Sequence, residues 1–96
     1  MMKIVKNLEW SVTKNKETGN TLNTVYLPDG SRITVLDRKT GWGGGMMDTE
    51  TGLLEKNGRW WLASGMFDIR DYPDYTIEEA VNMIKKMANT CMGSKP

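Results

Sequence analysis

The sequence predicts an α+β fold: an antiparallel meander sheet of four to five strands, with one C-terminal amphipathic helix packed on one face. Three observations carry this expectation. Short runs of strand-favouring residues recur between Leu8 and Asp68 and read as strands. They are separated by turn chemistry, Pro28-Asp29-Gly30-Ser31 and Asn57-Gly58, and not by helical stretches. From Thr76 onward the apolar spacing changes to the helical period.

The elements follow in chain order. Leu8-Glu9-Trp10-Ser11-Val12-Thr13 alternates with period two and predicts a half-buried strand. Asn15 to Asn20 is a polar turn. Residues 21–27 and 32–36 flank Pro28-Asp29-Gly30-Ser31 and predict a β-hairpin across 21–36. Residues 39–50 form a Gly-rich loop, and Thr51-Gly52-Leu53-Leu54-Glu55 reads as a short strand. Asn57-Gly58 suits a type I′ turn, whose two central residues both need φ > 0. Arg59 to Asp68 then reads as a longer strand, with Trp60, Leu62, Ser64 and Met66 on one side and Trp61, Ala63, Gly65 and Phe67 on the other. Both sides are apolar, which predicts a central strand covered on both faces.

After the loop Asp71-Tyr72-Pro73-Asp74-Tyr75, Thr76 as N-cap and Glu79 three residues on make a capping box. Ile77, Ala80, Val81, Ile84, Met87, Ala88 and Cys91 share one stripe, and Asn82, Lys85, Lys86 and Asn89 face away. Gly93 supplies a C′ residue, and 93–96 is expected to be a frayed tail. Residues 1–96 are read as a single small domain.

Composition narrows the function classes. Thirteen basic residues oppose twelve acidic ones, a net charge of +1. That is no basic excess of the kind bulk electrostatic binding to nucleic acid requires. There is no histidine, which removes the usual general base near neutral pH and the commonest transition-metal ligand. With one cysteine, Cys91, a structural zinc site within one chain is not expected, nor is an intramolecular disulfide. No apolar run marks a signal peptide or a membrane span, so a cytoplasmic, non-membrane protein is expected. No nucleophile–base pair can be assembled without histidine, and neither an enzyme nor a cofactor or metal is expected. Asp48, Glu50, Asp68, Asp71 and Asp74 read as turn and loop carboxylates serving local hydrogen bonds.

The stretch that stands out is Gly41-Trp42-Gly43-Gly44-Gly45-Met46-Met47. It matches no phosphate-loop fingerprint, because no helix with Lys and Ser or Thr follows it. A Trp set in glycine is either a lid on the core or a projecting anchor, and Trp is over-represented at binding hot spots. The four tryptophans are a large apolar load for so small a domain, at roughly 150–250 Å² each. Trp60 and Trp61 face opposite sides, and the side away from the helix is covered by Trp10 or the N-terminal segment, or else exposed. Core plasticity explains most of the methionine load, and adaptable binding surfaces also use Met. Trp42, Met46, Met47, Trp61, Arg59 and Arg38 are therefore the candidate partner-binding residues.

In its size, its lack of catalytic residues and the texture of Trp61-Leu62-Ala63-Ser64-Gly65-Met66-Phe67-Asp68, the chain resembles the small orphan proteins of bacteriophages. The resemblance is generic and carries no residue roles. It implies a non-enzymatic inhibitor or modulator that binds a host protein or protein complex, for example a defence complex such as CRISPR-Cas. The cytoplasm would then be that of a bacterial host. A homodimer is left open. The rival reading is a nucleotide- or single-strand-binding module that uses an aromatic and arginine sheet face with the Gly-rich loop.

If Trp42 anchors a partner, Trp42→Ala leaves the melting temperature near that of the parent. It then weakens binding by roughly thirtyfold or more, the effect of losing a hot spot of about 2 kcal/mol. A several-degree loss of melting temperature with normal affinity per folded molecule would make Trp42 a core lid instead.

Overall fold

A computed structural model describes residues 3–39, 47–63 and 66–91. Five strands, β1 (Ser11–Lys14), β2 (Thr21–Tyr26), β3 (Arg32–Lys39), β4 (Met47–Leu54) and β5 (Trp60–Ala63), form one sheet in the order β1-β2-β3-β4-β5. Every neighbouring pair is antiparallel. One helix, α1 (Ile77–Cys91), follows, and two 3-10 turns, Val5–Asn7 and Ile69–Asp71, flank the sheet. The fold is thus α+β, a five-stranded meander with a C-terminal helix, as the sequence pattern predicts.

Register decides which side chains share a face. Val25, Ile33, Leu53 and Trp61 stand side by side across β2 to β5, and so do Asn23, Val35, Thr51 and Ala63. These rows face α1 and the 3-10 turns. Val25, Ile33, Val35, Leu53, Ala63, Phe67, Ile69, Ala80 and Ile84 form the buried core with Val5 and Leu27. Three polar groups in it are buried, and two are fixed by side-chain bonds. Thr51 donates to the Phe67 carbonyl at 2.9 Å and accepts from the Ile69 N–H at 3.1 Å. Asn23 Nδ2 donates to the Val35 carbonyl at 3.0 Å. The third, Ser31, lies in the β2–β3 turn, its N–H donating to Asp29 Oδ1 at 2.8 Å.

The capping box is present in both directions. Glu79 N–H donates to Thr76 Oγ1 at 3.1 Å, and Thr76 N–H donates to Glu79 Oε1 at 2.9 Å. Ile77, Val81, Met83 and Met87 pack on the core around the buried Ala80 and Ile84. The N-terminal strap is sewn to the helix entrance by Val5 N–H to the Tyr75 carbonyl and Ile77 N–H to the Lys3 carbonyl.

Four expectations change. β1 begins at Ser11, because Leu8 and Trp10 leave the strand alternation and pack on the core beside Val5. β4 extends back to Met47, so the last four residues of the 39–50 segment read as loop are strand. Asp48 and Glu50 are held there by Arg38, which supplies the cross-strand partner that weak strand propensity concealed. β5 ends at Ala63 and lies at the edge of the sheet, not its centre. Met66 then adopts φ 68°, a turn that no continuing strand tolerates, and brings Phe67 and Ile69 beneath the sheet.

The fourth change concerns the turns. Only Gly58 at Asn57-Gly58 has positive φ, at 94°, so this is not a type I′ turn. Gly58 N–H donates to the Glu55 carbonyl and Glu55 N–H to the Arg59 carbonyl, each at 2.8 Å. Leu27 to Ser31 repeats this arrangement, with Gly30 also at 94°. Both are three-residue connections closed by a glycine bulge. Trp42 and Met46, the Gly41–Gly45 run, Gly93 and the 93–96 tail lie outside the described residues.

Ile84 is fully buried between helix and sheet. Ile84→Ala should lower unfolding free energy by roughly 2–5 kcal/mol, the range for truncating a large core side chain. Urea titration reads this directly, and an effect under about 1 kcal/mol would contradict the packing described.

Candidate interaction surface

The face of the sheet opposite α1 is built by the other parity of each strand. One row across it is Tyr26, Arg32, Leu54 and Trp60, and the next is Thr24, Thr34, Gly52 and Leu62. Leu22, Leu36 and Glu50 make a third row, and Arg38 pairs with Asp48 beyond it. Among the described residues no helix or loop packs across this face. Trp10 and the N-terminal strap, which could have covered it, lie on the helix side. Tyr26 is 69%, Trp60 50% and Leu22 40% exposed, while Leu36, Leu54 and Leu62 are half-buried by their neighbours.

Trp60 is held in place by a missing side chain. Its ring lies over Gly52 on the adjacent strand, and a Cβ at 52 would collide with it. Gly52 is buried as a result. Glycine weakens a strand interior and marks a close approach. Here the indole fills the space, so the aromatic lies along the sheet and keeps part of its surface open.

The charges of this face sit at its two ends. Arg32 lies beside Tyr26, its guanidinium carbon 5.9 Å from the ring centroid. No ion pair forms to Arg32 among the described residues, and its Nε is buried without an acceptor. At the other end Arg38 bridges Asp48 and Glu50 at 2.9 Å each. The hydrogen bond to Glu50, then the charges of both carboxylates, push the Arg38 pKa above its ordinary value.

On the helix side, Trp61 is enclosed by three charged groups. Arg59 stacks on its ring at 4.1 Å, and Lys85 lies 5.6 Å from its centroid. The indole Nε1 donates to Glu55 Oε1 at 3.0 Å, and Lys85 Nζ pairs with Glu55 Oε2 at 2.7 Å. Lys85 therefore reaches back from α1 to the β4–β5 turn and does not simply face solvent. Farther along this side, Arg70 donates to both Asp37 and Asp68, and Thr49 donates to Asp37. The bond to Asp68 raises the Arg70 pKa most, against the opposing effect of burial.

The structure thus separates the candidate residues that the sequence suggested. Arg38 and the Met47 end of β4 lie at one end of the sheet. Arg59 and Trp61 lie at the other, joined in the cluster with Glu55 and Lys85. The exposed aromatics of the open face are Tyr26 and Trp60, which the sequence reading did not select. Parity places Trp60 and Trp61 on opposite faces without saying which is open, and Tyr26 needs the register of β2 against β3. Among the described residues no group of three or more acidic, Cys or His side chains could hold a metal. Nor is any described helix long and apolar enough to cross a membrane.

Comparison with protein-family models, curated proteins and solved structures finds no match for this chain. Function is accordingly argued from the surface.

The Glu55 carboxyl is held below its ordinary value of 4.5, first by the bond from Lys85 and then by the indole N–H. A carboxylate whose pKa falls on folding stabilises the protein above its unfolded value, and that stability is lost as pH falls through the folded value. Glu55→Gln should therefore be less stable than the parent at neutral pH. The two stability curves should converge on acidification below 4.5. Curves that stay parallel to acid pH would show that the Glu55 contacts with Lys85 and Trp61 contribute no pH-dependent stability.

Proposed function

We propose that this chain is a non-enzymatic protein-binding module that acts by occupancy, docking the open face of its sheet on a protein partner. The carrying observation is the face itself: Tyr26, Trp60 and Leu22 exposed around Leu36, Leu54 and Leu62, with charges only at its ends. Contiguous apolar surface rimmed by polar groups marks interaction sites on soluble proteins. Aromatic residues and Arg are the side chains enriched where binding energy concentrates. An inhibitor or modulator of a host macromolecule, the role implied by the resemblance to small phage proteins, is the finer form of this proposal. It requires no chemistry beyond binding.

The charges of the face weigh against the nucleic-acid reading. Tracking a phosphate backbone takes several free cations. Arg32 is the cation here without an ion pair among the described residues, and the far end holds two carboxylates to one guanidinium.

Fluorescence anisotropy with labelled single- and double-stranded oligonucleotides should show no binding at physiological salt. Micromolar affinity would overturn the protein-partner reading. Conversely, proteins retained from a host lysate by the parent chain should be lost with the Tyr26→Ser/Trp60→Ser variant, whose core is untouched. Equal retention by both would move the docking surface off this face.

A further inference from the structure

We propose that the open face is self-complementary, and that a second copy of this chain packs on it when no other protein is bound. The proposal rests on reading this face as an interface and names its resting occupant. The charges of the face and their symmetry select this occupant. Arg32 marks one end of the face with a positive charge that lacks an ion pair among the described residues. Arg32 is half-exposed, so a carboxylate arriving there meets the outer part of a guanidinium that this chain leaves without a counter-charge among the described residues. The other end carries Arg38 between Asp48 and Glu50, one guanidinium to two carboxylates and so an excess negative charge. Arg32 and Arg38 are six residues apart on β3, about 20 Å at the usual strand rise.

A face with opposite charges at its two ends pairs with itself when one copy is reversed along the strand direction. A two-fold axis lying between two such faces and running across the strands does this. It sets each Arg32 end over the carboxylate end of the other copy, and one operation satisfies both ends. An axis along the strands would set Arg32 on Arg32 and is disfavoured. Between the ends lie the uncharged row Thr24, Thr34, Gly52 and Leu62 and then Leu22 and Leu36, whose row-mate Glu50 begins the carboxylate end. Trp60 lies along the sheet over Gly52, which keeps the relief low enough for two sheets to stack.

The face also sets the strength. Five strands span about 20 Å, and the charged ends lie about 20 Å apart, a footprint on the order of 400 Å² on each copy. That is below the standard size of a stable protein interface. The dimer is therefore weak and exchanging, which lets a better-fitting protein displace it. Self-association would keep the apolar face covered without locking it.

Sedimentation velocity on the full chain tests this. From low to high micromolar concentration the parent should show a reversible monomer–dimer equilibrium that weakens with added salt. Thr24→Glu places a charge mid-face without removing a described side-chain bond. It should weaken the dimer by about tenfold or more, as for a carboxylate buried unpaired, with melting unchanged. Arg32→Glu should do the same, and adding Glu50→Lys to it should restore association. A monomer at every concentration, or a dimer indifferent to salt and to Thr24→Glu, overturns the proposal. A monomeric parent whose partner capture still depends on Tyr26 and Trp60 removes the dimer alone. A face-dependent dimer whose capture of partners ignores them removes the functional reading alone.

Discussion

The path of the chain from sheet to helix depends on the hydroxyl of Thr51. This side chain is fully buried in the middle of β4, donates to the Phe67 carbonyl and accepts from the Ile69 N–H. Two backbone groups of a non-strand segment are thereby satisfied inside the core, where an unpaired one would be costly. The bond fixes where the chain returns after β5. Phe67 and Ile69 can then fill the core beneath Val35 and Leu53, and Tyr72 and Tyr75 stack outward from Phe67 at centroid spacings of 5.7 and 5.4 Å. The helix start at Thr76 follows from this placement, since the strap at Lys3 and Val5 bonds to the same return segment. A Val at this position would match the shape and leave both backbone groups without a partner.

Placing the return segment, strap and helix on one side leaves the other side open. Nearly all covering material after β5 goes to the rows of Val25, Ile33, Leu53 and Trp61. The parity of each strand then dictates what the open side displays. A slip of one residue in β3 would exchange Ile33 and Val35 for Arg32 and Thr34, so the core and the open face are specified by one register. The buried Asn23 donates to the Val35 carbonyl on β3 and to Asp37, and such a slip would turn the Asp37 carboxylate to the opposite face, away from it.

Much of this was legible in the sequence for local reasons. The hairpin over 21–36 follows from Pro28-Asp29-Gly30, and the helix start follows from Thr76 and Glu79, each carrying its own hydrogen-bonding instructions. What was not legible depends on partners distant in sequence. Met47 to Glu50 reads as loop until Arg38 supplies the ion pairs across the ladder. Arg59 to Asp68 reads as one long strand because Met66 is an unusual residue for positive φ. Which tryptophan is covered could not be read either. Trp60 and Trp61 are equivalent in pattern, and only the placement of α1 and the Glu55–Lys85 pair assigns Trp61 to the covered side. Of the candidate site, the sequence supplied the residue types, and the structure redistributed them.

Tyr26, Trp60 and Leu22 lie outside the buried core and so add little to the stability of an isolated chain. Polar residues on strands of this kind would serve solubility better, since exposed apolar patches invite non-specific association. The Trp60–Gly52 arrangement places a glycine, which weakens a strand interior, under an aromatic ring that stays half-exposed. A local rule broken without a compensating gain in the fold points to a functional constraint. In this chain three such departures fall on one face: the exposed aromatics, the glycine beneath one of them and the buried, unsatisfied Nε of Arg32. A bound surface covers the exposed rings and brings a counter-charge to the half-exposed guanidinium of Arg32.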